Sequence, residues 1–231
     1  MSRVIENLLA VKDQLHSVCE ASQRSDNDVK LLVVSKTIPC EVLMELYDHG
    51  IREFAENREP ELAMKSAAMP SDICWHFIGP VQSNKIRKVV RLAQVIHSVE
   101  SLAQLEKFER IAGEEEKFPE IFLEVNVSGE VSKGGMTPAE LPAVAARAAE
   151  CRFLRLKGLM TMAPLDAGEK ELRSVFDGLR NLRDNIAQAS GLELPHLSMG
   201  MSGDFPVAVD CGATIIRVGS RIFEGIERIS R

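Results

Sequence analysis

Val29-Lys30-Leu31-Leu32-Val33-Val34-Ser35 is short, rich in β-branched residues and bounded by polar ones. Such a run suits a parallel strand buried on both faces. Before it, Ile5, Leu8, Leu9, Ala10, Leu15, Val18 and Cys19 recur at helical spacing with charge on the opposite face, which predicts a leading helix over 4–20. After it the alternation repeats. Strands are predicted near 53–56, 73–78, 95–99, 121–127, 154–160, 194–199 and 214–218. Helices are predicted over 40–49, 59–68, 84–93, 101–115, 137–150, 169–190 and 205–211, with a closing helix over 221–229. Thr137-Pro138-Ala139-Glu140 has the residues of a helix start: a cap, a proline in the first turn and Glu at the third position. Eight strands alternating with helices imply a closed α/β barrel, (β/α)8, with an extra N-terminal helix. An open doubly wound sheet is the alternative. Against it, no G-x-G-x-x-G follows the first strand, and polar clusters sit at all eight strand ends. No linker-like stretch divides residues 1–231, so one domain is expected.

Composition narrows the class. The 231 residues are 45% hydrophobic and 27% charged, ordinary globular usage. A net charge of −6 argues against a dedicated nucleic-acid binder. No apolar run approaches the roughly 18 residues of a membrane helix. The start, MSRVIENLLAVKDQ, is too acidic and polar for a signal peptide. Cys19, Cys40, Cys74, Cys151 and Cys211 are odd in number, widely spaced and lack a CxxC pair. They read as reduced thiols of a cytoplasmic protein, without structural zinc.

A barrel places its site at the C-terminal mouth of the strands. There the chain carries Ser35-Lys36-Thr37, Glu56-Asn57-Arg58, Asn126-Val127-Ser128-Gly129, Met160-Thr161-Met162, Ser198-Met199-Gly200-Met201-Ser202-Gly203-Asp204 and Arg217-Val218-Gly219-Ser220-Arg221. The last two turns are small, adjacent in a barrel and expected to lead into helices, an arrangement that cradles a phosphate through backbone N–H groups. Lys36 ends a buried run, and partial burial would disfavour its ammonium and free an amine able to attack a carbonyl. An imine-forming lysine facing a phosphate cradle suggests pyridoxal 5′-phosphate; the pair would equally suit an aldolase acting on a sugar phosphate.

Taken in order, Val34-Ser35-Lys36-Thr37, Glu56-Asn57-Arg58, Trp75-His76-Phe77-Ile78-Gly79 with Gln82-Ser83-Asn84-Lys85, Asn126-Val127-Ser128-Gly129-Glu130, Gly158-Leu159-Met160-Thr161-Met162 and Leu197-Ser198-Met199-Gly200-Met201-Ser202 resemble the pyridoxal phosphate homeostasis proteins. The matches span nearly the whole chain. The resemblance implies a single barrel similar to the N-terminal domain of alanine racemase. It implies that Lys36 holds pyridoxal 5′-phosphate as a Schiff base and that Arg217 faces the pyridine nitrogen. A permanently charged arginine there would keep that nitrogen unprotonated and weaken the ring as an electron sink. Gly219 and Ser220 would bind the phosphate, with Ser202 and the Ser198-Met199-Gly200-Met201 segment opposite. Asn57 would lie beside the cofactor and Met162 against its ring. Two departures are local: Ala55 and Glu224 stand where the family commonly has glycine.

The resemblance also implies a role in intracellular homeostasis of the cofactor and related B6 vitamers, as a monomer, without nucleic-acid or membrane partners. Racemases on this scaffold use the lysine and a tyrosine from a second, β-rich domain of the partner subunit. This chain ends soon after its eighth predicted strand, so that domain is expected to be missing. The single tyrosine, Tyr47, falls in the first barrel helix. A carrier that supplies or buffers the cofactor is therefore expected; the alternatives are a weak racemase and an interaction protein acting on apo enzymes that use the cofactor. His76, His97 and His196 lie on three strands and read as hydrogen-bonded core rather than metal ligands. Lys85, Arg87, Lys88 and Arg91 read as a solvated face. Lys85 and Lys133 are candidate secondary aldehyde sites, with Lys133 expected to be mobile. Met160, Met162, Met199 and Met201 are expected near the ring.

Overall fold

A computed structural model describes residues 1–130 and 133–229. Eight parallel strands pair in chain order: β1 (Lys30–Val34), β2 (Glu53–Glu56), β3 (Cys74–Phe77), β4 (Val95–Val99), β5 (Glu120–Glu124), β6 (Arg155–Met160), β7 (His196–Met201) and β8 (Ile215–Val218). β8 returns to pair with β1, which closes the barrel. The helices are α1 (Arg3–Ala21), α2 (Cys40–Asp48), α3 (Glu59–Ala68), α4 (Ile86–Leu92), α5 (Leu102–Glu114), α6 (Leu141–Ala149), α7 (Glu169–Ser190) and α8 (Phe205–Asp210).

Strand pleating separates two cores. Residues such as Val33, Phe54, Ile96, Leu123, Leu197 and Met199 face the helices in the outer core. Leu32, Val34, Ala55, Val95, Phe122, Met160 and Ile215 fill the barrel. Ala55 is thus an ordinary inward strand residue. The barrel's interior also carries charge and imidazole: His76, His97, Glu124, Ser198 and Arg217 are all buried.

The expected closing helix is absent. Residues 220–225 form turns, and Phe223 N donates to Gly219 O at 3.0 Å as a single helical turn. The cause is steric occupancy: α1 packs between α8 and α2, the slot an eighth barrel helix would fill. Asn7 Nδ2 on α1 holds the closing turn through the carbonyls of Ile222 and Glu224, each at 3.0 Å.

Two boundaries differ in ways that touch the site. β7 runs on through Gly200 and Met201, which were expected in a turn; Gly200 takes φ +92° at a register shift that sets Met201 opposite Arg217. A side chain at Gly200 would also meet the Ala208 Cβ at 2.6 Å. The regular part of α6 begins at Leu141 rather than Thr137, although the capping contact forms: Glu140 Oε2 accepts from Thr137 N at 2.8 Å.

Candidate functional site

Parallel strands all end at one mouth, so the residues that follow them converge there. Lys36 opens the turn after β1. Its side chain is exposed, against the expected partial burial, because the buried run stops at Ser35. Its backbone is tightly held nonetheless. Ser35 Oγ donates to Glu56 Oε1 at 2.7 Å, and Lys65 Nζ on α3 donates to Glu56 Oε1 at 2.5 Å and to the Ser35 carbonyl at 2.7 Å. Thr37, next in sequence, takes φ +63°.

Register places the phosphate-type turns beside this lysine. Val33 pairs with Val218, so Gly219 lies next to Val34. A Cβ at Gly219 would sit 2.7 Å from the Val34 carbonyl oxygen, which leaves room only for glycine. The Gly219 N–H donates to Ser202 Oγ at 3.3 Å, joining the turns after β7 and β8. Ser220 is exposed. On the other side, Val34 pairs with Ala55, which brings half-buried Asn57 to the same rim. Half-buried Met162 follows β6 and packs on the interior core with Met160.

Arg217 is buried. Nη1 donates to Ser198 Oγ at 2.8 Å and Nη2 to the Thr161 carbonyl at 3.0 Å. Among the described residues, no carboxylate lies within ion-pair distance of it. Burial pulls its pKa down to about 10, against the charges of Glu124 and Asp204, so it remains a cation at neutral pH. Glu124, at the C-terminal end of β5, is pushed up to about 7 by burial and by its neighbour Glu100.

The expectation for Met199 changes. Met199 packs in the outer core, so its side chain faces the helices rather than the mouth. Lys133 is tied down: Nζ donates to the Met162 carbonyl at 3.3 Å and pairs with Glu130 at 2.8 Å. Lys85 and Lys88 pair with Glu59, and Arg87 and Arg91 with Glu115, on a face whose four cationic side chains remain open to solvent. Tyr47 lies outside the barrel, bonded to Asp72 at 2.8 Å under the Arg52 guanidinium. Among the described residues, no three His, Cys, Asp or Glu side chains are grouped to hold a metal ion.

Sequence reasoning missed Lys65 and Glu124. Lys65 lies three residues after Leu62 on the buried stripe of α3, and that spacing was the available signal.

The family described as alanine racemase, N-terminal domain, matches residues 7–225, which defines the class as a racemase-type barrel. Similarity to an alanine racemase of Clostridium difficile is confined to the fold: TM-score 0.80 and 14% identity, over 96% of this chain and 56% of that one. A curated relative from Aquifex aeolicus, "Pyridoxal phosphate homeostasis protein", is 37% identical over 94% of this chain and 96% of its own. The structure of PipY from Synechococcus elongatus PCC7942, with PLP bound, has a TM-score of 0.84 and 36% identity over 95% of this chain and 99% of that one. The chain belongs to the pyridoxal phosphate homeostasis protein family.

Proposed function

We propose that this chain binds pyridoxal 5′-phosphate at the C-terminal mouth of its barrel, bonded to Lys36, and holds it for supply rather than turnover. Membership of the family supports the cofactor. The carrying observation is a buried Arg217 cation with no carboxylate in ion-pair distance among the described residues, held inside the mouth by Ser198 and Thr161, together with the side-chain-free Gly219 turn next to the strand end that carries the lysine. When bound, the cofactor supplies an aldehyde and an electron-withdrawing ring. Lys36 Nζ, as the free amine, forms a C=N bond to the aldehyde carbon, and the oxygen leaves as water. Ser220 and Ser202 donate to the phosphate, the Gly219 N–H turns to it from the long 3.3 Å bond to Ser202 Oγ, Arg217 donates to the ring nitrogen, and Met162 and Asn57 bound the ring. An arginine at that nitrogen does not protonate it, so a carbanion beside the C=N bond gains little stabilisation. This favours holding over proton chemistry. The reading extends to a cytoplasmic monomer that serves apo enzymes requiring the cofactor.

A weak racemase is the second reading, favoured by one observation. Glu124, buried at the mouth and titrating near neutrality, is a group able to exchange protons there.

The test is an absorption spectrum of the purified chain with pyridoxal 5′-phosphate, followed by borohydride reduction and peptide mapping. The expected label is on the peptide carrying Lys36, with the band lost in Lys36→Ala. A label elsewhere, or none, overturns the proposal.

A further inference from the structure

Arg217 is the top of a hydrogen-bonded column that crosses the barrel. Beyond the 2.8 Å bond to Ser198 Oγ, that oxygen lies 2.9 Å from His97 Nδ1. His97 Nε2 lies 2.9 Å from His76 Nδ1, and His76 Nε2 lies 3.1 Å from Glu53 Oε2. Lys30 Nζ closes the far end, 2.8 Å from Glu53 Oε1. Those residues come from six strands. The far end opens on a cavity of about 390 Å³ in the N-terminal mouth, lined in part by Lys30, Glu53, Cys74 and His196.

The two ends set the direction of every link. A guanidinium only donates, and an ionised carboxylate only accepts. Although burial alone raises Glu53, hydrogen bonds from His76 and Lys30 hold it down to about 2, so it is ionised. Ser198 Oγ accepts from Arg217 and has one proton left, which goes to His97 Nδ1. His97 must then carry its proton on Nε2 and give it to His76 Nδ1. His76 in turn carries Nε2–H and gives it to Glu53. Burial disfavours the charged form of both rings, most strongly at His97, so each stays neutral. Stacking on Phe122, with centroids 4.5 Å apart and planes 9° apart, fixes the His97 ring plane.

We propose that Ser198, His97 and His76 are positioning residues, a one-way hydrogen-bonded column that aims Arg217 at the cofactor nitrogen and anchors it on the Glu53–Lys30 pair at the opposite mouth. The identity of what Arg217 faces rests on the function proposed above; the column itself does not. A half-satisfied buried network costs more than an apolar core, so each link depends on the next.

Nitrogen NMR of histidine-labelled full-length protein, without cofactor, tests the column directly. Both His76 and His97 are expected as Nε2–H tautomers between pH 6 and 8. A mixture, or Nδ1–H at His97, overturns it. The second arm uses His76→Phe, three links away from Arg217, with Phe118→Leu as control, an exposed residue that lines the same cavity and bonds to no member of the column. His76→Phe is expected to disturb the His97 tautomer and to weaken cofactor retention about 3- to 10-fold, the effect of roughly one net hydrogen bond. Phe118→Leu leaves both unchanged. Unaltered retention in folded His76→Phe overturns the positioning role; should that variant not fold, His76→Gln makes the same comparison. If the parent takes up no cofactor, the function proposal fails while the tautomers still decide the column.

Discussion

Lys65 and Glu56 form a fully buried ion pair, 2.5 Å from Nζ to Oε1, directly beneath the backbone that presents Lys36. The other carboxylate oxygen, Oε2, has no partner. Removing one member leaves an uncompensated charge in an apolar layer. Lys65→Met is expected to cost about 3–5 kcal/mol in urea unfolding, whereas Lys65→Met combined with Glu56→Leu regains most of it. The single variant should also weaken cofactor uptake, because the Ser35 carbonyl loses the charged one of its two donors and keeps only the Ile38 N–H at 3.0 Å. Equal stability of the single and double variants would contradict this account.

Gly219 and Ser202 separate the fold's needs from the ligand's. Gly219→Ala drives a Cβ against the Val34 carbonyl at the end of β1, which is held between β2 and β8 and does not move easily. The expected cost is about 1–3 kcal/mol, with cofactor retention lost. Ser202→Ala removes only the acceptor of one 3.3 Å bond. It should change stability by less than about 1 kcal/mol while still weakening retention. Thermal melts paired with equilibrium dialysis distinguish the two.

What the sequence disclosed followed from local rules. The apolar run at Val29–Ser35 and its repeats are governed by pleat and burial, so the eight strands and the closed barrel were legible. Lys36 and Gly219 could be placed at the mouth from the sequence because each lies within two residues of a strand end. The closing helix was misread because helical spacing after Arg221 says nothing about which helix fills the last slot, and α1 takes it. Met199 was placed at the mouth because the register shift at Gly200 has no sequence signature apart from the glycine itself. His76 and His97 were legible as hydrogen-bonded core, since β2, β3 and β4 pair in chain order and bring Glu53 beside them; only closure of the barrel carries Ser198 across to His97.

Glu124 makes stability depend on pH in the direction opposite to most carboxylates. Its folded pKa, about 7, lies above the ordinary 4.5, so between those values the folded chain binds more protons than the unfolded one. Stability from this group is full below pH 4.5 and falls as pH rises toward 7. Above 7 the loss is constant, on the order of 3 kcal/mol. Glu124→Gln keeps the shape without the titration. The variant is expected to gain on the parent as urea melts move from pH 5 to pH 8; parallel curves would show that Glu124 is not held protonated.

The same carboxyl decides between a carrier and a feeble enzyme. Racemisation needs a proton removed from one face of an amino-acid α-carbon and returned on the other. Tyr47, the chain's only tyrosine, lies outside the barrel on α2, away from the mouth. Lys36 and Glu124 are therefore the groups to test. If Arg217 faces the ring nitrogen as proposed and leaves it unprotonated, the α-proton stays weakly acidic, and placing a base nearby does not overcome that. For the cofactor-loaded chain in D2O, α-deuterium incorporation into L-alanine should not exceed that of free pyridoxal 5′-phosphate at equal concentration. It should also be unchanged in Glu124→Gln. Exchange well above the free cofactor that disappears in Glu124→Gln would make the protein a slow racemase instead.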